Sequence, residues 1–312
     1  MPDLIAAMEG ALTAFSADQV LQPVRTVLEV GPDRAFFGVM PAALDDPPVV
    51  GAKLVTVYEG NHDRGLPSHL ATIVLLDHAT GALVALVDGR YITEARTAAV
   101  SAVSAKHLAR PNAAILGIVG SGVQARSHLE ALQHVRPLSD VRVWSPTTAH
   151  CEAFAVEMRA TTDFPVRAVP SAGDAVADAD LVVLATGSRE AVVADAEIAA
   201  GTHIMAVGAC RPDQREMTTA LIARSRLVVD SRVAAFEESG DVMMPIAEGA
   251  IDRAHIVAEL GEIAAGTATA RQSDDDVTIF KSLGMAVEDV VAARLALERA
   301  TAERRGQLID LT

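Results

Sequence analysis

Cysteine is nearly missing from this 312-residue chain: Cys151 and Cys210 are its only two. Two thiols cannot build a disulfide framework, and neither stands in a metal-ligand spacing, so a reducing, cytoplasmic setting without a structural metal is the expectation. Aromatic residues are scarce at 3%, and the lone Trp144 reads as packing within a strand. Basic charge is also short: 26 Lys and Arg stand against 41 Asp and Glu, a formal net charge of −15 with no basic cluster. That balance repels phosphates and anionic lipid, which excludes nucleic acid and membrane surfaces as expected partners. No apolar run approaches the roughly 20 residues needed to span a bilayer. The first fifteen residues carry Asp3 and Glu9, and Leu4, Ala7, Met8, Leu12 and Phe15 fall at helical spacing. They do not form the basic start of a secretory signal.

What the chain has is apolar content, half of its residues, and enough length that two domains are expected. Between Arg25 and Asp88, short apolar runs (TVLEV, AFFGVM, AKLVTVY, LATIVLL, ALVALV) alternate with turn signals, and residues 77–81 read as a hairpin connection. A mostly antiparallel sheet is predicted there. Helical spacing takes over from Thr93 to Ala109 and is stopped by Pro111. From Ala113 the chain alternates strand and helix: AILGIVG, VQARSHLEAL, VRVWS, HCEAFAVEM, VRAV, LVVLAT, HIMAVGA, ALIARS, LVVD. Continuous apolar strands between helices predict a doubly wound parallel sheet. A strand-like VTIF and a long helix from Met285 to about Ala302 follow, ahead of an apolar LIDL tail, and that helix is expected to return to the first domain. The predicted fold is therefore α/β: a doubly wound domain over 111–283, and an α+β domain formed by 1–110 plus 284–312.

Gly120-Ser121-Gly122-Val123-Gln124-Ala125 follows the first parallel strand and opens a helix. Gly120 permits the tight turn and Gly122 lets backbone approach a pyrophosphate. Ala125 keeps the helix close to the sheet, and the helix N–H groups face the phosphates. In this context the motif predicts a Rossmann-type site for NADP or NAD. The second strand ends in Ser145-Pro146-Thr147-Thr148 instead of the acidic residue that selects NAD. Hydroxyls at Ser145 and Thr147 can donate to a 2′-phosphate, which tilts the expectation softly toward NADP. Asp140 reads as a turn residue before that strand. His62, Asp63 and His69 lack a zinc-like arrangement, and no metal is expected.

Six segments in order resemble the ornithine cyclodeaminase/mu-crystallin family over nearly the whole chain: GAKLVTVYEGN, the GLPSH turn, ITEARTAAVSAVSAKHLARP, IVGSGVQARSH, VGACRPDQREM and TIFKSLGMAVEDV. The resemblance implies a Rossmann domain inserted in a substrate-binding and dimerising domain, hence a homodimer. It also implies that Lys53, Arg96 and Arg25 hold a substrate carboxylate, with Lys53 in addition a candidate proton donor or water-orienting group. Arginine offers a planar fork for carboxylate, and lysine a point charge that can give up a proton. Arg96 reads as lying in the first turn of its helix, where a bound anion would relieve an unfavourable cation. Ser68 reads equally as a substrate hydrogen-bond donor and as a plain turn hydroxyl. The resemblance places Thr186 and the Ser282-Leu283-Gly284 turn near the nicotinamide, although a strand end and a helix start account for them as well.

Cyclodeaminases of the family carry an aspartate where this chain has Ala209. A methyl group cannot steer a second amine, so the resemblance points to the reductase branch. That implies NAD(P)H-dependent reduction of a small imino carboxylate, such as Δ1-pyrroline-2-carboxylate, to an L-amino acid. The alternatives are an alanine-dehydrogenase type of enzyme, an ornithine cyclodeaminase, and a crystallin-like protein that binds cofactor without turnover. Pro212-Asp213 reads as a helix start, Asp230 as a helix cap, and Glu237, Glu238 and Asp241 as solvated.

Overall fold

The computed structural model describes residues 1–31 and 35–309, the side chain of His62 excepted. The end of the LIDL tail lies outside the described residues. The chain divides into two compact units, one of Ala6–Arg96 with Met285–Thr312 and the other of Met1–Ile5 with Thr97–Gly284.

The first unit is built on an antiparallel sheet. After helix α1 (Pro2–Ser16) come β1 (Val20–Leu21), β2 (Thr26–Glu29), β3 (Phe36–Asp45), β4 (Pro48–Val57), β5 (His69–Leu76) and β6 (Leu83–Asp88), followed by helix α2 (Gly89–Leu108). The order is β1-β3-β4-β5-β6, with β2 also paired to β3. Asp77, in the β5 to β6 connection, accepts the backbone N–H of Ala79 and Thr80 and the Thr80 hydroxyl, an Asx turn that closes the hairpin. Along β4 the side chains alternate, and Val49, Gly51, Lys53 and Val55 point to the buried face. A long helix from the end of the chain covers that face. Its first half is buried all round, and Gly51 lets it approach: a Cβ there would lie 3.1 Å from Val290 and 2.4 Å from the Val74 carbonyl oxygen.

The second unit is a parallel sheet. Its elements are β7 (Ile115–Val119), α3 (Val123–Leu132), β8 (Asp140–Trp144), α4 (Thr148–Arg159), β9 (Val166–Ala168), α5 (Ala172–Val176), β10 (Leu181–Leu184), β11 (His203–Ala206), α6 (Thr219–Arg224), β12 (Arg226–Val229), α7 (Arg232–Glu238), α8 (Gly240–Ala247), β13 (Ile256–Glu259), α9 (Leu260–Ala264) and β14 (Thr278–Lys281). The covering helix of the first unit is α10 (Ala286–Ala302). The strand order is β13-β12-β14-β11-β10-β7-β8-β9. The chain reverses direction between β7 and β10, the switch point at which doubly wound folds bind ligands. All residues of β10, β11 and β14 are buried, because apolar clusters cover both faces of the sheet. Trp144 packs against one of these clusters. The turn residue expected at Asp140 opens β8, and its carboxylate accepts Arg142 at 2.9 Å and Arg167 at 2.8 Å.

Candidate functional site

The glycine loop has the form its sequence requires. Gly120 has φ +117°, a value that L side chains rarely adopt, and a Cβ there would lie 2.5 Å from the Ala185 carbonyl oxygen. Its N–H donates to the Trp144 carbonyl at 2.7 Å, which ties the loop to the end of β8. Gly122 caps α3 with extended backbone and no side-chain hydrogen bond, and nothing would obstruct a Cβ there, so the first N–H groups of α3 are left to an anion. Ala125 is buried in the core beneath the helix. Val123 is exposed, and the backbone carbonyl of Gln124 hydrogen-bonds the His128 ring at 2.7 Å. Arg126 donates to the carbonyls of Ser121 and Gly122 and pairs with Glu157 at 2.7 Å, fixing the outer side of the loop. Ser121 and Ser145 hydroxyls meet at 2.8 Å, and Thr147 is the exposed N-cap of α4. A loop with positive φ, an uncapped helix start and no carboxylate at 145–148 fits a dinucleotide pyrophosphate and its ribose.

At the carboxyl ends of the neighbouring strands lies a network that the sequence did not disclose. Glu216, fully buried, accepts the N–H and hydroxyl of Thr186 beyond β10, at 2.6 and 2.8 Å. It also accepts the N–H groups of Gly208 and Ala209 beyond β11, at 2.9 and 3.1 Å. Asp241 is not solvated but fully buried. It accepts the N–H groups of Glu216 and Met217 and stands 3.2 Å from the Lys281 ammonium. Asp230 does not cap α7, a part taken by the Ser231 hydroxyl. Its carboxylate instead accepts the Ser282 hydroxyl and the N–H groups of Leu283 and Gly284, shaping the turn after β14. Nor does a helix start at Pro212: the segment is a set of turns, with Asp213 paired to Arg189 at 3.7 Å.

In the antiparallel unit the predicted cations converge. Lys53, on the covered face of β4, contacts Asp289 at 2.7 Å. Arg96 donates through Nε to the same carboxylate at 2.9 Å and through Nη1 to Glu288 at 2.7 Å. All four side chains are buried. Arg96 lies beyond the first turn, because α2 opens at Gly89, where Asp88 accepts the Arg90 N–H; the relief of a helix dipole is therefore not what an anion would supply. Burial pushes the Lys53 ammonium down, Asp289 pulls it back up and Arg96 pushes it down again, leaving its pKa at about 8. Arg25 is half-buried and its charge also acts on Lys53. His69 is held near 4 by burial first and then by the charges of Lys53 and Arg96, so it is neutral at physiological pH. Ser68 is half-buried, and its carbonyl accepts the Tyr58 N–H at 2.8 Å. Among the described residues no group of three His, Cys, Asp or Glu could hold a metal, and the His62 side chain lies outside them. No helix among them is long and apolar enough to cross a membrane.

The model of the ornithine cyclodeaminase/mu-crystallin family matches residues 1–304. The chain belongs to this family. It is 43% identical over 298 residues to the mouse ketimine reductase mu-crystallin, covering 95% of this chain and 91% of that one. The solved Δ1-pyrroline-2-carboxylate reductase of Thermococcus litoralis, in complex with NADH and L-proline, superposes with a TM-score of 0.96 at 39% identity, covering 99% and 96%. An archaeal alanine dehydrogenase dimer with bound NAD superposes with a TM-score of 0.94 at 30% identity, covering 100% and 95%.

Proposed function

We propose that this family member is an NAD(P)H-dependent ketimine reductase, reducing the C=N bond of a small cyclic imino carboxylate such as Δ1-pyrroline-2-carboxylate to the L-amino acid. The observation that carries this reading is the convergence of Lys53 and Arg96 on one buried carboxylate, Asp289. Two cations locked in one geometry offer a substrate carboxylate a preformed seat, with Arg25 beside them and Ser68 as a further donor. Ala209 is buried and offers only its N–H, already donated to Glu216, so the amine-directed acid of a cyclodeaminase has no counterpart at that position.

The glycine loop from Gly120 to Ala125 receives the pyrophosphate, Ser121, Ser145 and Thr147 face the adenosine ribose, and Thr186, Ser282 and Gly284 hold the nicotinamide end. When bound, the reduced nicotinamide supplies the hydride for the imine carbon. Lys53, with a pKa of about 8, carries a proton at neutral pH that it can give to the imine nitrogen. Arg96 and Arg25 fix the carboxylate and with it the orientation of the C=N bond.

The assembly is a homodimer in this reading, supported by apolar side chains left exposed on β2 and β6, Leu28 and Leu86 among them. Cys151 and Cys210 are thiols and not a disulfide, which suits a reducing cytoplasm. Oxidation of NADPH and NADH should be followed with Δ1-pyrroline-2-carboxylate, with pyruvate plus ammonia, and with ornithine and NAD as a control. Turnover of the cyclic imine, abolished by Arg96→Ala, is expected. Turnover that requires ammonia would move the chain to the alanine dehydrogenase type, and turnover of ornithine alone would overturn the inference from Ala209.

A further inference from the structure

The Glu216 carboxylate lies between the ends of two adjacent parallel strands. One oxygen takes both Thr186 donors and the other takes the N–H groups of Gly208 and Ala209, so each oxygen serves one strand. Burial raises the pKa of this carboxyl above the usual carboxylate range against the pull of Lys281, and the four donors occupy the four lone-pair sites that its two oxygens offer. The strand ends are too close for any side chain at 208: a Cβ on Gly208 would lie 2.0 Å from the Thr186 carbonyl oxygen and 2.5 Å from Glu216 Oε1. Asp241 fixes the Glu216 backbone through two N–H groups, and Lys281, the last residue of β14, stands 3.2 Å from Asp241 and acts on Glu216 through its charge. Apolar residues of similar volume would stabilise a core at least as well as a buried charge network of this kind, so the network points to a positional role.

In a doubly wound sheet the ligand crosses the carboxyl ends at the switch point, here between β7 and β10. With the pyrophosphate on α3 and the adenosine toward β8, the other half of a dinucleotide runs toward β10 and β11, the two strands that Glu216 joins. We infer that Glu216 is a positioning residue for the nicotinamide half of the cofactor, locking the 186 and 208–209 backbone so that the ring is held in one pose. The inference rests on the dinucleotide reading above.

The test is binding rather than turnover. Purified full-length protein is titrated with whichever of NADH and NADPH it binds more tightly, and with the matching fragment that lacks nicotinamide, ADP-ribose or 2′-phospho-ADP-ribose. Glu216→Gln keeps the size but puts an amide N–H₂ against N–H donors. It is expected to weaken the whole cofactor about tenfold and to leave the fragment within about twofold. Equal weakening of both, or of neither, overturns the inference. Should Glu216→Gln fail to fold, Glu216→Asp keeps the charge facing Lys281 and shortens only the reach. The same selective loss is expected there, and wild-type affinity for the whole cofactor would overturn the positioning role. A wild-type protein that binds neither ligand would instead remove the dinucleotide reading on which the inference stands.

Discussion

Asp289 joins the two central cations of the antiparallel unit: one of its oxygens lies 2.7 Å from Lys53 Nζ and the other accepts Arg96 Nε at 2.9 Å. Because both cations answer to one carboxylate, removing it changes the charge state of the lysine as well as its position. Lys53 carries its proton below about pH 8, so a step that uses the ammonium fades as pH rises through that value. Asp289 is the largest influence raising this pKa, against burial and Arg96. Asp289→Asn is therefore expected to move the alkaline limb of the kcat/KM profile for the imine to lower pH. A limb that stays in place would show that Lys53 is not the group being titrated.

Arg96 reaches two acids from one planar head, Asp289 through Nε and Glu288 through Nη1. Lysine in its place keeps the charge and loses the fork. Arg96→Lys is expected to cost about 2 kcal/mol of transition-state stabilisation, roughly thirtyfold in kcat/KM for the imino acid. Cofactor affinity, measured by NADPH or NADH titration, should not change. Retention of full activity would mean that positive charge alone seats the carboxylate.

Much of this architecture is readable from pattern because its causes are local. The alternation of Val49, Gly51, Lys53 and Val55 reports a covered sheet face, and Gly120 reports a backbone angle other residues avoid. The cations were legible as residue types, but their partners were not. Glu288 and Asp289 sit in the opening turn of a helix, where acids ordinarily face solvent and favour the dipole. One signal was available: apolar residues surround the acid pair in AVEDVVAA, and acids at such positions need cations if they are buried. Glu216, Asp230 and Asp241 escaped because their partners come from distant segments, Lys281 and the 282–284 turn among them, which no local period connects. The start of α2 was set too late because Gly89 weakens the helical pattern at the point where Asp88 accepts the Arg90 N–H.

On the proposed dinucleotide reading, Thr147 is the position at which cofactor choice can be tested without a risk to folding. It is the exposed N-cap of α4, and aspartate is among the preferred residues at such a position. A carboxylate there would repel a 2′-phosphate and could accept from ribose hydroxyls. Thr147→Asp is expected to lower kcat/KM for NADPH about tenfold while sparing NADH, with an unchanged melting temperature. If NADPH and NADH fall together, the ribose does not lie at this strand end.

Gly51 links sheet packing to the cation site. A methyl group there would lie 2.4 Å from the Val74 carbonyl oxygen of β5 and 3.1 Å from Val290 of α10, so either the strand pairing or the helix has to move. The helix that gives way also carries Asp289, one residue before Val290. Gly51→Ala is therefore expected to destabilise the protein by about 1–3 kcal/mol through overpacking. It should also reduce kcat/KM for the imine more than it weakens cofactor binding, since the glycine loop belongs to the other compact unit. Thermal denaturation and steady-state kinetics on the same preparation separate the two effects. A variant with the wild-type melting temperature and wild-type kcat/KM would show that the sheet absorbs the methyl group without displacing α10, and that the Lys53 to Asp289 geometry does not depend on this close approach.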